Sequence, residues 1–419
     1  MADLALVNPV PVDDVQGWLA ALATTLLGDP HDDNFPRRVE AWRREWLPER
    51  VWGARSAGRW VATLATEPRT LTVPGPDGST LDLAADALTG VTVAATHRRR
   101  GLLTQLLTQS LADAKGRGDA VSVLIAAEWA IYGRFGYAPA TRGADYRYLA
   151  RPADAKVQPS GAGSVRQVEA EEIGRTGPAL YDRTRRLRAG QVDRRGDWWA
   201  YRFGLDGYEP LREGKTPTHV VHDGHDGVDG FVSWTVKRDF ELNGELGAIE
   251  VGELVAANGA AYRDLWAYLS GLDLIGEIEL HHRPVDEPVR WLLEDGRALH
   301  QTYAGDGLWL RLLDVPAALS ARSYAVSGRL VLDVVGDRLG YADGRYALDA
   351  DRDGSTCTAT ADDADLRLSH RALAATYLGG HTLRALAPAG GVEELTAGAI
   401  ARADAMFGTA LAPWNATGF

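Results

Sequence analysis

The chain has one cysteine, Cys357, among its 419 residues. A lone thiol forbids any intrachain disulfide and suits a reducing compartment, so packing must hold the fold together. Positive charge is also short: 45 Lys and Arg stand against 57 Asp and Glu, a net charge of -12. That deficit argues against nucleic-acid binding, which needs a basic face, and leaves room for a cationic substrate. No Lys or Arg precedes Arg37, so the start lacks the basic segment of a secretory signal. No apolar run approaches the roughly 20 residues of a membrane span. These absences lead us to expect a cytoplasmic protein with no membrane and no nucleic-acid partner. Neither G-x-x-x-x-G-K-S/T nor G-x-G-x-x-G follows a strand, which leaves ATP and dinucleotide cradles unsupported. No His/Cys cluster has metal-ligand spacing, so no metal is expected.

What the sequence does have is length and period. At 419 residues it exceeds one ordinary core, and two or three domains are expected. Residues 12–27, VDDVQGWLAALATTLL, set Val15, Trp18, Leu19, Leu22 and Leu26 on one helical face behind Asp13 or Asp14. After the polar HDDNFPRRVEAWRREW come strand-like pieces at 51–55, 59–65, 70–73, 80–83 and 88–93, with a hairpin turn in PGPDGS. A leucine helix follows, carried by Leu103, Leu106, Leu107, Leu111 and Ala114, and Gly116 and Gly118 end it. Residues 120–125 then read as a buried strand. RPADAKVQPSGAGS reads as a linker. A second α/β region contains its own strand–helix step, 249–256 and then a helix with Leu265, Trp266 and Leu269. From GLWLRLLDVPAAL onward the pattern turns to hairpins and two helices, 371–377 and 392–406. The expected division is three mixed α/β domains, 1–155, 156–305 and 306–419.

One stretch stands out, VTVAATHRRRGLLTQLLTQSL at 91–111, where three arginines and a glycine separate a strand from a helix. A helix start exposes unpaired N–H groups and a partial positive charge, so it holds anions. Gly101 lets a ligand approach the backbone, and the arginines add charge and forked donors. Spacing alone leaves two readings level: a pyrophosphate cradle, or a solvated basic helix start.

Here the residues carry a resemblance. VTVAATHRRRGLL is similar to the acetyl-CoA motif of the GNAT N-acetyltransferases, an Arg/Gln-x-x-Gly-x-Gly/Ala loop that binds pyrophosphate. Arg98 matches its first position and Gly101 its glycine, while Leu103 departs from the usual small last residue. That departure, together with AAEWAIYGRFGYAPAT at 126–141, resembles the Eis (enhanced intracellular survival) family of actinobacterial acetyltransferases. The resemblance implies an active N-terminal GNAT domain, a degenerate central GNAT-like domain and a C-terminal sterol-carrier-like domain.

It also implies an acetyl-CoA-dependent N-acetyltransferase acting on primary amines, aminoglycoside-like polyamines or lysine side chains, by direct attack in a ternary complex. The backbone of Val91, Thr92 and Val93 would pair with the pantetheine arm. Arg98, Arg99, Arg100, Gly101, Leu102, Leu103 and Thr104 would face the pyrophosphate, and Ala127 and Glu128 would line the cofactor. Tyr132 matches the general acid. A phenol of pKa ~10 is protonated at neutral pH and can bond the departing sulfur. Tyr137 is expected to pack. The implied general base is the C-terminal carboxylate, here that of Phe419 at the end of WNATGF. An α-carboxylate pKa of ~3.3–3.7 makes burial near the cofactor a requirement for that role. Asp32, Asp33, Trp42 and Glu128 are candidates for the acceptor pocket, since acidic and aromatic groups suit a polycationic amine. Gly418 supplies no side-chain acid beside the terminus. The family further implies a homohexamer, a dimer of trimers.

The competing class is a non-enzymatic lipid- or hydrophobe-binding protein working through the sterol-carrier-like domain. An intact arginine loop and Tyr132 favour the enzyme. Other patterns weigh less. DADRDG at 349–354 begins like a calcium loop, but Thr360 stands where a bidentate Glu is needed. HHRPVDE at 281–287 lacks the glycine of an HHxxxDG signature. Asp197, Trp198 and Trp199 read as central-domain packing, with an interface or a pocket rim as the alternatives. Asn258, Gly259 and Ala260 occupy the place of the arginine loop in the central domain, which is therefore expected to bind no CoA.

Overall fold

The computed structural model describes residues 4–150, 156–206, 208, 216–242, 245–351 and 354–419. Three sheets organise them, of seven, seven and five strands. The first runs in spatial order Leu4–Val7, Val51–Ser56, Arg59–Pro74, Thr80–Val93, Val121–Ile125, Leu308–Leu312 and Ala138–Pro139. The second runs Leu299–Asp306, Arg142–Leu149, Ile275–Arg283, Gly247–Ala256, Gly227–Arg238, Thr218–Gly224 and Ser164–Val168. The mixed α/β class expected from the pattern is what forms.

Both large sheets contain one strand–helix–strand step with parallel pairing. In the first, Thr80–Val93 leads through the helix Leu102–Gly116 to Val121–Ile125. In the second, Gly247–Ala256 leads through Gly259–Ser270 to Ile275–Arg283. Asn258 caps that second helix by accepting from the Ala261 N–H at 2.9 Å, so its first turn is satisfied from within.

Several strand pieces merge. The expected 59–65 and 70–73 are one strand of 16 residues, and 80–83 and 88–93 are one of 14. Their ladder, unbroken from Ala65 to Pro74, carries Glu67, Pro68 and Arg69 across the polar gap that broke the alternation. The polar HDDNFPRRVEAWRREW forms the helix Phe35–Glu45. Residues 392–406 divide into a strand, Val392–Glu394, and a helix, Ala399–Phe407, because Gly398 takes a left-handed φ of 84° at the helix start. The linker's first residues, 151–155, and part of DADRDG lie outside the described residues.

Two of the expected boundaries are crossed by strand exchange. Arg142–Leu149, inside 1–155, pairs with Ile275–Arg283 and Leu299–Asp306 in the second sheet. Leu308–Leu312, inside 306–419, inserts between Val121–Ile125 and Ala138–Pro139 in the first. A strand edge is an unsatisfied row of donors and acceptors, so each sheet gains by taking a strand from the neighbouring segment. The third sheet packs on the first. One continuous core joins Leu71, Val123 and Leu310 to Leu332, Leu348 and Phe407.

Leu310 is fully buried where these units meet. Leu310→Ala should destabilise the protein by about 2–5 kcal/mol. Urea unfolding followed by circular dichroism and by tryptophan fluorescence should show one earlier, coincident transition, because the core is shared.

Candidate active site

Two parallel strands open the site. Thr80–Val93 and Val121–Ile125 pair only at Asp86 with Ser122 and Ala87 with Val123, although the first strand runs on to Val93. Beyond Ala87 they part. Backbone groups in that gap need partners, and an extended ligand with amide groups can supply them. On the other edge, pairing with Arg59–Pro74 slips between Thr63 and Ala65, and Gly90 takes a φ of 60°. Such a bulge re-aims the strand. The Thr63 hydroxyl fixes it, donating to the Gly90 carbonyl at 2.7 Å and lying 2.6 Å from the Thr92 hydroxyl.

The arginine loop follows directly. Gly101, with φ 79°, starts the helix and provides no side-chain cap. The N–H groups of Leu102, Leu103 and Thr104 therefore keep their donor capacity, with the helix dipole behind them. Arg99 holds a φ of 62°, a strained conformation for a residue with a side chain, which curls the loop around that helix start. Arg98, Arg99 and Arg100 are exposed, and none makes an ion pair with another described residue. Arg100 only closes its own turn, donating to the Thr96 carbonyl at 3.2 Å. Leu102, rather than Leu103, is the buried leucine of the first turn.

Tyr132 ends the short helix Trp129–Tyr132, which Glu128 starts just after the Val121–Ile125 strand. It is 7% exposed and packs in a core with Leu88, Leu102, Leu106 and Leu107. Burial, and then the nearby Glu128 carboxylate, push its hydroxyl up to about 12. Its ring meets Tyr137 edge-on at 6.2 Å. Tyr137 is fixed in turn, its hydroxyl 2.7 Å from that of Ser122. Behind them the buried Asp86 accepts from Arg50 at 2.9 Å and from Arg117 at 2.8 Å.

The end of the chain is docked. The Trp414 N–H donates to the Ala189 carbonyl at 3.0 Å, and the Ala416 N–H to Gln191 Oε1 at 3.1 Å. The Thr417 hydroxyl lies 2.7 Å from that of Tyr181 and accepts from Arg194 Nε at 3.1 Å. The Arg194 side chain is wholly buried, paired with Glu253 at 3.0 Å and sandwiched between the Tyr181 and Trp198 rings at 3.9 and 3.8 Å. These contacts set Gly418 and Phe419 between two cavities of about 650 and 520 Å³. The smaller is lined by Trp42, Trp46 and Trp198, by Glu45 and Glu67, and by Thr89 of the splayed strand. Successive strand residues face opposite ways. Leu88 joins the Tyr132 core and Thr89 lines the Phe419 cavity, so the candidate acid and the tail approach one strand from its two faces.

Comparison with known proteins supplies the family. Residues 7–140 and 190–312 each match an acetyltransferase (GNAT) domain, and 315–416 match a sterol carrier protein domain. The chain is 38% identical over 412 residues to an uncharacterized N-acetyltransferase of Streptomyces griseus, covering 95% of each. It is 34% identical over 341 residues to the N-acetyltransferase Eis of Mycobacterium tuberculosis, covering 80% of each. The chain belongs to the Eis family. Eis1 of Mycobacterium abscessus has the same fold, with a TM-score of 0.84 and 31% identity across the whole of both chains. As an Eis-family member the protein is an acyl-CoA-dependent N-acetyltransferase that takes an amine-bearing acceptor. Among the described residues, no helix is long and apolar enough to cross a membrane.

Set against that family, the expected residues distribute unevenly. Val91, Thr92, Val93, the loop 98–104, Ala127 and Glu128 all border the strand gap or the helix starts beside it. Trp42 is both cavity wall and core, its ring 5.4 Å from Trp18 and 5.9 Å from Trp46. Asp32 is not a wall residue: its carboxylate pairs with Arg38 at 2.7 Å. Asp33 lines a small adjoining cavity of about 400 Å³ that shares Arg44, Asp197 and Tyr208 with the Phe419 cavity. The carboxylates on the wall are Glu45, Glu67 and Asp197. Partial burial, and then Glu67, raise the Glu45 carboxyl. The signal that could have found Glu45 is helical: Arg38, Trp42 and Glu45 recur at the spacing of one face. Asp197 and Trp198 take the pocket-rim alternative.

Replacing Arg98 and Arg99 by Ala removes two unpaired cations from the loop. Hydrogen bonds to charged groups contribute about 1.5–3 kcal/mol, so each substitution should raise KM for acetyl-CoA roughly tenfold or more. Steady-state kinetics at fixed acceptor would show it. The raised Tyr132 pKa sets a sign for pH: its proton stays on through neutral and moderately alkaline pH and is lost only near 12. The rate profile should therefore show no alkaline loss due to Tyr132 up to about pH 10, two units below that value.

Proposed function

We propose that the protein transfers the acetyl group of acetyl-CoA directly to a primary amine, with Tyr132 as general acid and the Phe419 carboxylate as general base. The amine nitrogen attacks the thioester carbonyl carbon. Its proton passes to the Phe419 carboxylate. The carbon–sulfur bond then breaks, the Tyr132 hydroxyl gives its proton to the departing thiolate to release CoA thiol, and the phenol regains a proton from solvent while the Phe419 carboxyl loses its own. The splayed strand would hold the pantetheine amides, and the arginine loop the pyrophosphate.

The observation that carries this reading is the state of the charges around Phe419. The cavity's arginines are engaged: Arg38 with Asp32, Arg44 with Asp197 at 3.1 Å, Arg69 with Glu67, and Arg195 with the Pro68 carbonyl at 2.5 Å. Glu45 and the Phe419 carboxylate make no ion pair with a described residue. Two unpaired carboxylates among tryptophans suit an ammonium group, by charge and by ring face. Aminoglycoside-like polyamines and lysine side chains both present one. The same proposal includes a cytoplasmic homohexamer built as a dimer of trimers, which sedimentation of the purified chain would test.

Appending a few residues after Phe419 converts its carboxylate to an amide. Thiol release from acetyl-CoA in the presence of an amine panel should then fall to background, while acetyl-CoA binding by calorimetry stays unchanged. Full activity in the extended protein would place the base elsewhere.

A further inference from the structure

The two glycines in the Tyr132 turn, Gly133 and Gly136, are occupied from outside the first GNAT match, 7–140. The turn Gly133–Phe135 closes on Gly136 at φ 88°. A Cβ on Gly136 would lie 1.8 Å from Arg311 Nη1 and 3.1 Å from His370 Cδ2. A Cβ on Gly133 would lie 3.1 Å from the Arg371 guanidinium. Arg311 belongs to the inserted strand Leu308–Leu312, and His370 and Arg371 start a helix of the sterol-carrier-like domain. The turn is therefore gripped by residues that come far later in the chain.

Arg311 makes the grip polar. Its side chain is 1% exposed. Nη1 donates to the Phe135 carbonyl within the turn. Nη2 donates to both Asp337 oxygens, at 2.9 and 2.8 Å. Asp337 lies beyond the Gly328–Val335 strand and also accepts from the N–H groups of Leu339, Tyr341 and Ala342 at 3.1, 2.9 and 3.0 Å. One carboxylate thus ties a loop of the third domain to the carbonyl three residues after Tyr132. Bidentate pairing fixes orientation as well as distance, and a dry site strengthens it.

We propose that the sterol-carrier-like domain acts in catalysis as the clamp of the Tyr132 turn, with Arg311, Asp337 and Arg371 as positioning residues. This rests on the assignment of Tyr132 as general acid. The domain sets where the Tyr132 hydroxyl sits relative to the thioester sulfur, and it needs no ligand of its own to do so.

The test uses the full-length chain carrying Asp337→Asn or Arg371→Ala, each with Tyr132 and with Tyr132→Phe. Asp333→Asn, which breaks the exposed pair to Arg367 at 2.9 Å in the same domain, is the control. With Tyr132 present, Asp337→Asn should lower kcat roughly ten- to hundredfold. KM for acetyl-CoA should stay within about twofold. In the Tyr132→Phe background the same change should cost less than about twofold, as coupled residues do in a double-mutant cycle. Backbone hydrogen exchange in peptides spanning 129–138 should rise in Asp337→Asn and not in the control. Unchanged exchange, or an equal kcat loss in both backgrounds, overturns the clamp. A Tyr132→Phe enzyme with full kcat instead overturns the acid assignment, while exchange still judges the clamp. Should Asp337→Asn fail to fold, Arg371→Ala reads the same quantities from an exposed position.

Discussion

The strand Leu308–Leu312 is buried at every residue and lies between two strands from much earlier in the chain. Its donors and acceptors complete the first sheet, while the residues that follow it begin the third domain. That single insertion fixes the chain path. The central segment must leave the first sheet and return to it, and the third domain must start against the same sheet. Hydrophobic burial then makes the arrangement cooperative, because side chains of the first and third sheets fill one core. The route of the tail follows from this, since the last helix, Ala399–Phe407, ends close enough for residues 412–417 to bond Arg188, Ala189 and Gln191.

Charge is handled differently in the two halves of the site. At the arginine loop, cations are left unpaired and exposed at a helix start, a disposition that draws an anionic partner. Around Phe419 the arginines are spent on neighbouring carboxylates and carbonyls, and Glu45 and the chain end are the cavity carboxylates with no ion pair among the described residues. The two halves share one strand, with its helix-side face toward Tyr132 and its other face toward the tail cavity. A thioester and an amine arriving from opposite faces would meet where that strand parts from Val121–Ile125.

Much of this was legible in the residues. The strand–arginine–glycine–helix order predicted a helix that starts at Gly101 behind exposed arginines, because a helix start behaves the same way in any fold. YGRFGY located Tyr132. The wall of the Phe419 cavity was harder to read. Asp32 and Asp33 look available in a line of text, yet Arg38, six residues on, takes the first of them. Glu45 lay in a stretch that looked merely polar, and its position on the face of Trp42 shows only once the helix is recognised. Arg194 shows only its stacking partner Trp198 nearby, since its polar partners Glu253 and Thr417 are remote in sequence.

What the sequence determined by itself is therefore local: helix starts, glycine-dependent turns and the class of each domain. Periodicity and capping act over a few residues, so they survive being read one segment at a time. What only the tertiary structure decided is which segments meet. Arg142–Leu149 could have closed its own sheet, and Leu308–Leu312 could have opened the third; their burial patterns fit either. The exchange was settled by which edges were left open and which apolar faces remained uncovered, a property of the whole chain. The same holds for Phe419, whose place beside Trp42 and Thr89 depends on every domain before it being in position.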